Sequence, residues 1–115
     1  MMEKTKNGQR WVPNEETLLE QMAEGLSRRI LAYGDDLMCV ENHFEVGAEG
    51  KLHSHPHTQA SYIAEGVFTF TVDGETRTVK KGDSLFVPGN VLHGCVCIEK
   101  GIVLDVFTPM REDFV

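Results

Sequence analysis

The chain has 115 residues, a length suited to one domain around one core. Its formal charge is −7 with acidic and basic residues interspersed, and the absence of a basic stripe argues against a nucleic-acid surface. No apolar run approaches the ~20 residues of a membrane span and the polar stretch Met1–Arg10 lacks a signal peptide's apolar core, so residence in the cytoplasm is expected.

Met1–Arg10 reads as a loose tail. Asn14 has the character of a helix N-cap, with Glu15 and Glu16 in a first turn where the helix dipole favours negative charge. Leu18, Leu19 and Met22 share a helical face and Gly25 supplies a stop, so one short helix is predicted beside the main body. From Leu26 the helical period is gone. Leu26–Tyr33 and Leu37–Glu45 read as strands about a turn at Gly34-Asp35-Asp36, the second with Met38, Val40 and Phe44 on one face. Gly47 to Gly50 turns into a strand carrying His53 and His55, and Gly66 is expected to end it. Beyond it Phe68, Phe70 and Val72 alternate with Thr69 and Thr71, and Asp73-Gly74 signals a hairpin back into Thr76–Val79. Lys80-Lys81-Gly82-Asp83 turns, Leu85-Phe86-Val87 is a short strand, and Pro88-Gly89-Asn90 leads into a strand over Val91–Ile98. Glu99-Lys100-Gly101 is expected to turn the chain again before Ile102–Phe107, which is apolar on both faces. Many short strands at even spacing between glycine-rich turns describe a single all-β domain, a sandwich or barrel.

Chemistry concentrates between Gly47 and Gly66. In an extended strand alternate side chains share a face, so His53 and His55 project together, about 6–7 Å apart, and can converge on one cation. Gln59 has their parity, with Pro56 bending the chain between them. A further ligand has to come from a distant strand, where His93 stands. His57 lies past Pro56 and is read as a residue behind the ligands or on their rim, and His43 as structural. Cys95 and Cys97 share the parity of His93; of the two readings, extra ligands or small buried apolar residues, the second is favoured. Three cysteines, an odd count, speak against a disulfide scaffold. Asp105 and Phe107 lie on one face of the last strand and can look into one cavity, whereas Tyr62 has the parity opposite to Gln59 and faces away.

Two stretches carry a resemblance. Gly47-x5-His53-x-His55-x3-Gln59-x6-Gly66 resembles the first signature of the cupins, and Gly82-x5-Pro88-x-Asn90-x2-His93-x3-Cys97 resembles the second. The resemblance implies a double-stranded β-helix, the jelly-roll barrel, with a metal inside it. Three positions depart from the signatures: Gln59 stands for the usual Glu, Asn90 for a Gly and Cys97 for an Asn. Asn tolerates the left-handed backbone that such a Gly provides. A Gln coordinates through its amide oxygen without bringing charge, which leaves the full 2+ on the ion and makes it a stronger Lewis acid.

The stretch Leu104–Phe114, the His-Ser-His-Pro-His-x-Gln run and the Gly-Asn-Val-x-His-Gly turn resemble the KdgF-type cupins of pectin degradation. Those enzymes convert 4,5-unsaturated monouronates, released by polysaccharide lyases, into their linear keto form. The resemblance implies His53, His55, Gln59 and His93 as ligands of a divalent transition metal (Ni, Zn, Fe, Mn or Co), Asp105, Phe107 and Arg111 as catalytic residues, and a homodimer. A second Gln placed shortly after the first in such enzymes is absent; Ala60 and Ser61 follow Gln59. Opening a ring enol ether gives an enol that must be protonated at carbon, a task for a carboxyl such as Asp105, while Arg111 suits a two-pronged grip on the carboxylate of a small anionic sugar acid. Two other readings are a non-catalytic metal-binding cupin that takes up a sugar or small acid, and a cupin oxygenase working through ferrous iron. Gln59 and the Asp-x-Phe-x3-Arg tail favour the ring-opening enzyme over the oxygenase.

Overall fold

The computed structural model describes residues 2–115, and Met1 lies outside them. The strands are β1 (Glu20–Ala23), β2 (Leu26–Gly34), β3 (Leu37–Phe44), β4 (Glu49–His53), β5 (Thr58–Val72), β6 (Glu75–Lys80), β7 (Ser84–Val87) and β8 (His93–Thr108). All pair antiparallel, in the order β1-β2-β3-β8-β5-β6, with β4 added on β8 and β7 on β5.

Two long strands make this a rolled structure. β5 and β8 pair along nearly their whole lengths, from Thr58↔Thr108 to Val72↔His93. The second half of β8 and the first half of β5 lie between β3 and β7, while their other halves lie between β4 and β6. Each long strand therefore belongs to both layers of a jelly roll, and the layers face each other across the core. The expected breaks at Gly66 and at Glu99-Lys100-Gly101 are not ends of strands. The register shifts between Ile63 and Phe68 instead, so the glycines mark bulges where both strands bend from one layer into the other.

Strand alternation fills the core. Met38, Val40 and Phe44 on β3, Phe68 and Phe70 on β5, and Val103 and Phe107 on β8 are all buried. They fall into two clusters, one around Phe44, Phe68 and Val103 and one around Met38, Val40 and Phe107. Full burial of such side chains stabilises by about 1.5–3 kcal/mol each. Asp73-Gly74 forms the predicted hairpin turn, with φ of 51° and 80°, the doubly left-handed backbone that suits strand twist.

The predicted N-terminal helix is not formed. Asn14–Glu16 is one 3-10 turn, and Glu20–Ala23 is an edge strand on β2. Three apolar residues are too few to hold a helix on the barrel, and Leu19 and Met22 are left exposed. The Asn14 side chain caps nothing; its amide donates to Glu41 at 3.1 Å. Gly25, with φ of 75°, turns the β1–β2 hairpin rather than stopping a helix. The stretch before it is also less loose than expected. Thr5 is buried with its hydroxyl donating to the Ile30 carbonyl at 2.6 Å, and the Gly8 amide donates to Tyr33 at 2.9 Å, so this segment lies along β2. Among the described residues no helix is long and apolar enough to cross a membrane.

Candidate metal centre

The His-x-His stretch is only half strand. β4 ends at His53, Pro56 interrupts pairing, and β5 resumes at Thr58. His53 is the direct cross-strand partner of His93, which brings their ring centroids to 4.4 Å. His55 reaches in from the loop, its ring centroid 5.5 Å from that of His53 and 4.8 Å from that of His93. One ring nitrogen from each of the three lies within 4.8 Å of the others. Asn90 adopts the left-handed φ of 67° anticipated at that position, and its amide donates to the His55 carbonyl at 2.7 Å, tying the two signature loops together.

The hydrogen bonds fix which nitrogens face inward. Nδ1 of His53 donates to the Lys51 carbonyl (2.7 Å), Nδ1 of His55 to the His57 carbonyl (3.0 Å) and Nδ1 of His93 to the Val91 carbonyl (2.9 Å). A carbonyl can only accept, so each Nδ1 carries the proton and each Nε2 presents a lone pair. Nε2 of His93 is buried with no protein partner among the described residues. Nε2 of His55 lies 3.0 Å from Oε1 of Gln59, and the Gln59 amide nitrogen is turned away to donate to Ser61 (3.0 Å). Two acceptors at that distance need a cation between or beside them. Burial, seconded by the Arg111 charge, lowers the His55 pKa, and burial likewise lowers that of His93, so at neutral pH protons do not fill the role. The set fits a divalent transition metal, with carbonyl-bound imidazoles of the kind that orient metal ligands.

A cavity of about 230 Å³ opens beside these nitrogens, lined among others by His53, His93, Gln59, Asp105, Phe107 and Arg111. The Asp105 carboxyl accepts from the Ser61 hydroxyl (2.6 Å) and the Asn42 amide (2.9 Å), with the Gln59 amide at 3.4 Å. Burial raises its pKa to about 6 against the pull of those donors. Phe107 packs edge-on against the His55 ring, centroids 5.6 Å apart.

Arg111 lines the cavity but differs from the expectation of a free two-pronged clamp. Its Nε and Nη2 are already held by the two oxygens of Asp113, at 3.0 and 2.8 Å. That hydrogen-bonded pairing holds the Asp113 carboxyl below its ordinary range.

Asn42 and Ser61 are site residues that the sequence reading did not single out. Both carried a signal, as polar residues at inward positions: Asn42 has the parity of Met38, Val40 and Phe44, and Ser61 that of Gln59 and Ile63. His57 contributes its carbonyl behind His55, with its own ring centroid 5.5 Å from that of His55. Cys97 sits in the core and Cys95 packs against it, its thiol pushed up to about 12 by burial, so both serve as small apolar residues. Tyr62 faces out, and His43 hydrogen-bonds Glu41 on the outer surface at 2.7 Å.

The neutral imidazoles give a pH prediction. An ordinary imidazole titrates near 6.5, and His55 and His93 titrate lower in the fold, so acid protonates the unfolded chain first. These two groups therefore withdraw stability from the metal-free fold as pH falls below about 6.5. For metal binding the same shifts delay proton competition. Between pH 7.5 and 6 the affinity should fall by less than the roughly fiftyfold that three ordinary histidines would lose. Equilibrium dialysis against Zn2+ at the two pH values measures this directly.

Comparison with known proteins agrees with this architecture. The family described as "Cupin domain" matches residues 40–107. The pectin degradation protein KdgF of Dickeya dadantii (strain 3937) is 42% identical over 107 residues, covering 91% of this chain and 97% of the relative. An RmlC-like cupin from Shewanella frigidimarina NCIMB 400 superposes with a TM-score of 0.93 at 43% identity, covering 96% of this chain and 100% of that one. KdgF from Halomonas sp. superposes with a TM-score of 0.89 at 34% identity, covering 92% of this chain and 98% of that one. The chain belongs to the cupins, and among them to the family of the pectin degradation protein KdgF.

Proposed function

We propose that the protein opens 4,5-unsaturated monouronates and converts them to linear keto uronates, using a divalent transition metal held by His53, His55, His93 and the amide oxygen of Gln59. The observation that carries this reading is the placement of Asp105. A half-buried carboxyl with a pKa of about 6 shares a cavity with His53, His93 and Gln59, and His55 completes the cluster of three imidazole nitrogens. Kinship with proteins named for pectin degradation supports the choice of substrate class.

The reaction is an isomerisation. The C1 hydroxyl of the hemiacetal loses its proton as the C1–O5 bond breaks with its electron pair going to O5, and O5 takes up a proton in exchange, leaving an aldehyde at C1 and an enol hydroxyl on C5. C4 then takes up a proton and the enol hydroxyl gives one up, so that C5 becomes a ketone and composition is unchanged. When bound, the metal supplies Lewis acidity towards an oxygen of the sugar. Asp105 holds the proton that goes to C4, and a pKa of about 6 leaves both of its forms accessible near neutrality. Ser61 and Asn42 lock the carboxyl's orientation, and Phe107 walls the cavity against water on the His55 side.

The test is the decay of the conjugated double bond's ultraviolet absorbance in a lyase-generated unsaturated monouronate, against a no-enzyme control for spontaneous opening. Metal-loaded protein should accelerate the decay at least a hundredfold, and chelation should abolish the acceleration. Decay at the control rate by protein shown to hold metal would instead favour a binding module.

A further inference from the structure

The residue assigned to grip a carboxylate has its two-pronged edge filled by Asp113, which leaves open what recognises the charge of an acidic sugar. The protein's net charge of −7 repels an anion, so recognition needs local positive charge. A second buried arginine stands beside the site. Arg28 is 9% exposed and lies two residues beyond Leu26, the β2 residue that lines the cavity, on the same face of the strand. It is also the cross-strand partner of Asn42, the cavity residue that holds Asp105.

The guanidinium of Arg28 is poorly satisfied. Its Nε is buried without a protein partner among the described residues, and its closest carboxylate oxygen is Oε1 of Glu20, 3.8 Å from Nη2 and beyond hydrogen-bond range. Glu20 is shared with Lys4 at 3.5 Å. The Phe114 ring, a wall of the cavity, has the Arg28 guanidinium over it at 3.9 Å and that of Arg111 at 4.2 Å. A guanidinium over a ring keeps its N–H edge for an anion. Among the described residues the carboxylates ion-paired with Arg28, Arg111 and Lys4 are Glu20 and Asp113, and neither reaches the Arg28 Nε.

We propose that Arg28 is a specificity-determining residue whose incompletely hydrogen-bonded guanidinium supplies, with Arg111, the subsite for the carboxylate of the sugar acid. This rests on the reading that the cavity takes a uronate. The bound carboxylate accepts from the Arg28 guanidinium, whose Nε lacks a protein partner among the described residues, and Asp113 stays on Arg111 as the other half of a two-carboxylate, two-arginine cluster.

The test uses metal-loaded protein and two saturated probes that cannot undergo the reaction, galacturonate and its methyl ester, titrated by calorimetry. Wild type should prefer the acid by about tenfold to a hundredfold. Arg28→Met, which keeps an apolar stem over Phe114, should reduce that preference below about threefold, and Arg28→Lys, which keeps the charge without the fork, should fall between. The ratio is read within each folded protein, so a general loss of stability does not mimic it. An acid preference unchanged in Arg28→Met, or none in wild type, overturns the proposal. Because neither probe has the 4,5 double bond, failure of the turnover assay with the acid preference intact would sink the reaction and leave the subsite standing.

Discussion

Replacing Asp105 with Asn should lower kcat for unsaturated monouronate by about a thousandfold while leaving the fold as stable as wild type or more so. Positioned acid–base groups contribute about 10²–10⁴ in rate, and an amide at this position can neither give nor take the proton that C4 requires. The stability half follows from the raised pKa of about 6 against 3.8. A carboxyl whose folded pKa is raised binds its proton more tightly in the fold than in the unfolded chain. It therefore opposes folding above pH 6, and the penalty is relieved as pH falls from about 6 towards 4. In the metal-free protein at pH 7.5 this penalty is on the order of 3 kcal/mol. Asn removes it and keeps the strongest bonds, accepting from Asn42 and donating to the Ser61 oxygen, and gives up only the long 3.4 Å contact with the Gln59 amide. Turnover and thermal melting of the metal-free variant, measured side by side, check both halves. A variant that keeps more than about a tenth of wild-type kcat would show that Asp105 is not the proton carrier.

How much of this could be read from the chain depends on the range of each interaction. The grouping of His53, His55, Gln59 and His93 was legible because two fixed spacings bring these residues together without knowledge of the rest of the fold, although His55 reaches the group from a loop and not by strand parity. Asp105 and Phe107 were visible through strand parity. Asn42 and Ser61 broke the inward apolar pattern, but that break acquires meaning only once β3 and β5 are known to flank Asp105. Arg28 offered no signal at all. Its relation to Arg111 and Phe114 spans more than 80 residues and depends on the 109–115 segment folding back over the cavity. The false helix at Leu18–Met22 shows the converse: an apparent apolar period over a few residues was overruled by edge pairing with β2. Glycine was the most ambiguous letter. The same residue that ends a strand also permits two backbones to cross closely, and at Gly66 and Gly101 the second use was the true one.

Gly101→Ala should therefore be among the most damaging single substitutions outside the site, although it adds one methyl group far from any ligand. A Cβ at Gly101 would collide with the Glu65 carbonyl oxygen and approach the Phe68 ring edge to 2.8 Å. Across the same crossing, a Cβ at Gly66 would meet the Glu99 carbonyl oxygen at 2.5 Å and the Gly101 Cα at 2.6 Å. These neighbours are mostly backbone, held in the β5–β8 ladder on both sides, so they cannot swing away as a side chain would. Relief requires opening the bend itself. That costs roughly 3–5 kcal/mol, at the upper end of single substitutions, and lowers Tm by about 10 °C or more for a chain of this size. The bend sits between the half of β8 that carries His93 and the half that carries Asp105, so metal affinity should weaken together with stability. Gly34→Ala is the control, because a Cβ there meets nothing within 4 Å. If Gly101→Ala melted within about 2 °C of the Gly34 variant, the crossing would be softer than this packing implies, and the long strands would not act as rigid rails between the two halves of the site.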